Sequence, residues 1–164
     1  MALTKLNNQS LSAVTAAGIP IRSGSVLQVV QGTTQTQYSM TTTYADVGLS
    51  VNITPTASDS NIFILVNSQI YIAANGYGTR LLRDSTVIFT AAGSDSNGPF
   101  EGYAGASMHH RTGYNFLDTG RSAGTSQITY KLQGRKYHGS SNIQYNYNDV
   151  DNATSVIQAI EIAN

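Results

Sequence analysis

The chain has 164 residues, with nine Lys and Arg balanced by nine Asp and Glu, and neither Cys nor Trp. Ser, Thr, Asn and Gln together supply 59 residues, while charged residues are only 11%, under half the roughly 25% of ordinary soluble domains. This balance excludes disulfide frameworks, thiolate chemistry and the basic stripe of a nucleic-acid binder, and it predicts one domain with an uncharged polar surface.

Residues 1–23 form a segment of their own, predicted to be an N-terminal arm preceding a domain over 24–164. Leu3, Leu6, Leu11, Val14 and Ile19 are its apolar positions, and LSAVTAAG ends at Gly18 with Pro20 just beyond. Two readings stand: a short helix capped by Gly18 and stopped by Pro20, or an extended arm that buries its apolar side chains on another surface. The opening MALTKLNNQS lacks the apolar core of a signal peptide, and no stretch approaches the roughly 18 apolar residues of a membrane span. The expectation is a protein made in a cytoplasm that acts away from membranes.

From Gly24 onward strand signals are dense. Residues 25–31 (SVLQVVQ) read as a strand, followed by the polar connector GTTQTQYSMTTT. Leu49, Val51 and Ile53 alternate with Ser50, Asn52 and Thr54 up to Pro55, the pattern of a half-buried strand. Residues 61–73 (NIFILVNSQIYIA) have a continuous apolar start, expected deep in the core, and an alternating finish. Asn75-Gly76-Tyr77-Gly78 is expected to turn. Residues 79–83 and 86–90 flank Asp84-Ser85 as a tight hairpin, and the Gly-rich run 91–107 is the longest expected loop. Residues 108–116 read as a weaker strand. Ile128, Tyr130 and Leu132, then Ile143, Tyr145 and Tyr147, alternate with polar residues, and 155–164 (SVIQAIEIAN) close the chain with an apolar strand. Eight or nine strands without a long helix predict an all-β sandwich or jelly roll.

Chemistry has little to work with. Glu101 and Glu161 are the only glutamates, and no paired-carboxylate spacing, nucleophile elbow or phosphate loop is present, so no enzyme and no cofactor are expected. His109-His110 sit on adjacent positions that point to opposite sides of a strand, which argues against a metal site. Asn148-Asp149-Val150-Asp151-Asn152 lacks the glycine and distal glutamate of a calcium loop and reads as a turn.

The stretches LTKLNNQSLSAVTAAGIPIRSGSVLQVVQG and TYADVGLSVNITP, the strand SNIFILVNSQIYIA, the hairpin RLLRDSTVI and the closing VIQAIEIA together resemble a family of tailed-phage virion proteins. These are common in phages of cyanobacteria and marine bacteria, and often described as tail-fibre-like. The resemblance implies a jelly roll similar to the trimeric heads of tumour-necrosis-factor-like proteins. Tyr71, Tyr130, Tyr145 and Tyr147 are then candidates for the trimer interface or the core. It implies a non-enzymatic virion protein made in the host cytoplasm, whose partners are further copies of itself and the major capsid protein or other virion proteins. On the leading reading it decorates or cements the capsid, with residues 1–23 laid on the lattice. The alternative is a receptor-binding tail-fibre tip, with Tyr77, Phe100 and Tyr103 in apical loops contacting a host surface glycan.

Overall fold

In the computed structural model the described residues are 22–90, 102–137, 140, 142–147 and 153–164, and every regular element among them is a strand. The elements are β1 (Val26–Thr34), β2 (Tyr38–Ser39), β3 (Ala45–Ile53), β4 (Asn61–Ile72), β5 (Asn75–Arg83), β6 (Thr86–Thr90), β7 (Gly102–Ala104), β8 (Met108–Asp118), β9 (Ile128–Lys136), β10 (Ile143–Tyr145) and β11 (Ser155–Ile162).

All pairings are antiparallel, in two sheets. β4 is the spine of the first: β11 and then β10 line one side of it, β8 runs along the whole of the other, β1 lies outside β11, and β2 lies outside β10. The second sheet runs β3-β9-β5-β6, with β7 beside the start of β5. Leaving out the short strands β2, β7 and β10 and numbering the rest in chain order gives 1-8-3-6 for one sheet and 2-7-4-5 for the other, the strand order of a jelly roll.

Alternation explains the core. Val47, Leu49, Val51 and Ile53 of β3, Ile62, Ile64, Val66 and Ile70 of β4, Tyr130 and Leu132 of β9, and Ile157 and Ala159 of β11 are buried between the sheets. The sheets approach closely where β1 crosses β3: a Cβ on Gly32 would lie 1.8 Å from the Ser50 carbonyl oxygen, so a side chain there would force the backbones apart.

The structure differs from the sequence-based expectation in four places. The continuous apolar start of β4 does not lie wholly inside: Ile62, Ile64 and Val66 are buried, while Phe63 and Leu65 are half-buried on the outer face, because the strand alternates throughout this region. Asn75-Gly76-Tyr77-Gly78 is the start of β5 rather than a turn. The bend occurs just before it, with Asn75 at φ 67°. Its glycines accompany a fully buried aromatic ring, and a Cβ on the facing Gly102 would stand 2.4 Å from Tyr77 Cε1. Part of the expected loop 91–107 is strand β7, and the weakly marked segment after it is the full-length strand β8.

The sandwich has two distinguishable ends. At one, here called the base, the chain enters through Gly24, whose N–H bonds the Ala163 carbonyl at 2.8 Å, and connectors 54–60, 84–85 and 119–127 cluster there. The connections from β4 to β5, from β6 to β7 and from β10 to β11 leave strand termini at the opposite, distal end.

Candidate interaction surface

The outer face of the first sheet carries an apolar row that no single strand reveals. The registers pair Val29 with Ile160, Ile160 with Phe63, and Phe63 with Leu117, so four apolar side chains from β1, β11, β4 and β8 lie side by side. Val29 is 55% exposed and Leu117 45%, and nearer the base Val26 is 60% exposed beside Ile162. Inner positions could not remain this exposed, and single surface apolar residues would not align across four strands. Among the described strand residues of this face the only charge is Arg111.

The second sheet's outer face is different. Arg80, Lys131, Arg135 and Asp46 lie on it. Lys131 pairs with Asp46 at 2.9 Å, Gln133 donates to Asp46 at 2.6 Å, and the Arg80 and Arg135 guanidiniums sit over the Tyr44 ring at 4.3 and 4.9 Å. The charges of Lys131, Asp46 and Arg80 are thus engaged by neighbours on the same face, whereas the row on the first face is apolar and partly exposed.

At the distal end of the first sheet, three aromatic side chains meet. Tyr71 of β4 stacks on Tyr147 with ring centroids 4.5 Å apart, and His109 of β8 lies 5.2 Å from the first ring and 5.7 Å from the second. Tyr147 is held there by Asn146. That buried residue adopts φ 49°, donates its backbone N–H to the Gln69 carbonyl and its amide to the Thr34 carbonyl, and accepts from Ser155 Oγ. The chain therefore leaves β10 in a fixed direction. Gln69 Nε2 lies 3.1 Å from His109 Nδ1, and the Tyr71 hydroxyl donates to Ser107 Oγ at 3.2 Å.

Two buried polar networks lie at the base. The Glu161 carboxylate is fully enclosed and accepts from the Thr56 and Ala57 amides, the Thr56 and Ser60 hydroxyls and Gln28 Nε2, at 2.6–3.0 Å. Burial alone would raise its pKa. The donors, led by Ser60 and the Ala57 amide, outweigh burial and hold it at about 2. Ser60 Oγ also accepts from Arg121 Nη2 at 2.9 Å, so one hydroxyl links the buried anion to a cation, which further binds the Ala57, Ser60 and Gly124 carbonyls. In the second network, Arg83 pairs with Asp118 at 2.8 Å, and Tyr130 donates to the same carboxylate at 2.8 Å. Burial, then the bond to and charge of Asp118, push the Tyr130 pKa well above its ordinary value. A cavity of about 230 Å³ opens beside them, lined by Arg83, Arg121, Gly124 and Ile128 among others. Both guanidiniums at its rim, Arg83 and Arg121, are already engaged within the fold, so these networks act as structural ties.

The residues singled out from sequence separate into groups. Tyr130 and Tyr145 are core, both fully buried; Tyr145 shares a 2.7 Å hydrogen bond with Ser68. Tyr71 and Tyr147 are half-buried on the outer face. Tyr77 is corrected from a loop contact to a core residue, since it is 0% exposed within β5. Tyr103 falls in β7. Leu3, Leu6, Leu11, Val14, Ile19, Phe100, Asp149 and Asp151 lie outside the described residues. His109 and His110 face opposite sides of β8, one against Tyr71 and the other 6.3 Å from Tyr77. Sequence reasoning missed the apolar row, because its members are separated by up to 131 positions and only strand register aligns them. It also missed Glu161 as an anchor, although an acid in an otherwise apolar inward row was the available signal.

No protein-family model matches the chain, and no curated protein sequence matches it. Among solved structures, one described as the structure of infectious bursal disease virus, Gx strain, is similar to 84% of this chain, with a TM-score of 0.38 and 13% identity. The match spans 38% of that structure's chain.

Proposed function

We propose that the protein is a non-enzymatic structural component of a tailed-phage virion: a decoration protein that assembles as a trimer through the outer face of its first sheet and holds the capsid lattice through residues 1–23. The observation that carries the self-assembly is the contrast between the two outer faces: an uncharged apolar row on one and self-paired charges on the other. Full burial of such a side chain stabilises by about 1.5–3 kcal/mol. The four in the row are already partly covered, so covering them contributes on the order of 4 kcal/mol per protomer. That is of the size needed to offset the lost freedom of association. The virion setting is supported by the sequence resemblance. Anchoring through the arm is supported by its five apolar residues and by the chain's entry at the base, beside the exposed Val26.

Deleting residues 1–20 is expected to leave a trimer, measured by sedimentation, that no longer binds purified capsids; undiminished binding would refute the arm. Quantitative mass spectrometry of particles separates decoration from a receptor-binding tail-fibre tip. Hundreds of copies, near one for each capsid subunit, support decoration, and a few dozen or fewer support the tail-fibre reading.

A further inference from the structure

The geometry points to a binding site for a neutral sugar ring at the distal end of the first sheet, built on Tyr71, Tyr147 and His109. This goes beyond the assembly reading and uses a different part of the face: Phe63 of the apolar row and Tyr71 are eight residues apart on β4, roughly 26 Å along the strand. Tyr71 and Tyr147 stack on each other at 4.5 Å, His109 tilts against both, and all three remain at least partly exposed, so the cluster offers aromatic surface to a ligand. The C–H face of a pyranose is apolar and weakly positive and matches the negative face of an aromatic ring.

A second, independent feature names the ligand's polar side. Gln69 is 8% exposed, and its Oε1 has no donor from the protein. Its Nε2 is committed to His109, and turning the amide over would only exchange which atom is left unpaired. Gln144, directly opposite Tyr71 in register, likewise has a buried Oε1 without a donor. Two unpaired acceptors beside a stacking surface call for a ligand that presents hydroxyl donors around a flat apolar ring. A phosphate would bring only further acceptors, and the nearby Arg111 is already bound to Asn67 Oδ1 at 2.7 Å. A purely apolar ligand would leave both amide oxygens buried and unsatisfied.

The test is NMR titration of the full-length protein with methyl α-D-glucopyranoside, methyl α-D-mannopyranoside and methyl β-D-galactopyranoside. At least one is expected to shift the Tyr71 and Tyr147 ring resonances and to receive saturation at its ring C–H protons. Tyr147→Ala and, separately, Gln69→Leu are expected to weaken that binding by about fivefold or more. Tyr44→Ala, on the opposite sheet, leaves it unchanged, and unfolding curves establish that each variant is folded. The site is refuted if none of the three sugars shifts those rings at about 50 mM, or if Tyr147→Ala binds as the parent does. It is also refuted if a soluble paramagnetic probe cannot reach the two rings, which would mean that another copy of the chain covers them.

Discussion

Replacing Glu161 by Gln keeps the size of the side chain and removes the charge that five donors converge on. The carboxyl pKa is about 2 in the fold, against an ordinary 4.5. At about 1.36 kcal/mol per unit, ionisation of this one group contributes about 3 kcal/mol to stability. Because the folded-state value is depressed, the contribution is complete above pH 4.5, falls away as the pH drops through that window, and is mostly gone at pH 2. The variant should therefore be at least 3 kcal/mol less stable at pH 7, and its deficit should shrink by about that amount between pH 7 and pH 2. Any offset that persists at every pH is the separate cost of an amide N–H₂ facing the Thr56 and Ala57 N–H groups. Urea unfolding at fixed protein concentration, followed by circular dichroism and the fluorescence of the ten tyrosines, reads both quantities. A deficit independent of pH would refute the assignment of Glu161 as a charged anchor.

Phe63→Asp places a charge in the centre of the apolar row and should reduce the sedimenting mass from three chains to one, whereas Ser50→Asp on the opposite sheet should not; an unchanged mass for Phe63→Asp would move the interface elsewhere. Asp118→Asn leaves the Arg83 guanidinium without its anion and should cost about 3 kcal/mol in urea unfolding, while Tyr130→Phe removes one hydrogen bond and should cost about 1 kcal/mol. Gly32→Ala must push β1 away from the Ser50 carbonyl and should cost more than about 2 kcal/mol, with loss of the trimer if β1 shifts.

The strands were largely legible because their signal is local. Alternation in residues 49–54 and 128–133, and the Asp-Ser turn between β5 and β6, depend on neighbours two positions apart. Ranking Phe63 and Leu65 with the core failed because a run of apolar residues does not distinguish the interior face of a strand from an outer face that also carries apolar side chains. Asn75 to Gly78 misled because glycine and asparagine mark strand positions as well as turns: the left-handed residue is Asn75 alone, and Gly76 and Gly78 continue into β5 on either side of the buried Tyr77. The surface itself was beyond reading residue by residue. Val29, Phe63, Leu117 and Ile160 are unremarkable in their own segments, and only the 1-8-3-6 strand order brings them into one line.

The base of the sandwich is also where a protein anchored through its N-terminal residues would carry load, and its bonding suits that task. Antiparallel hydrogen bonds run perpendicular to the strands, so a pull along β1 loads its whole ladder with β11, from Val26–Ile162 to Thr34–Ser155, at once rather than bond by bond. The Gly24–Ala163 and Ala163–Ser25 bonds extend that ladder beyond the strand end. Gln28, near the start of β1, donates to Glu161 at 2.6 Å, and Glu161 holds the connector between β3 and β4 while Arg121 ties in the connector between β8 and β9. Tension entering at Gly24 thus reaches both sheets through one buried carboxylate. Strong acid, which neutralises that group, would therefore slacken the tie at the attachment end.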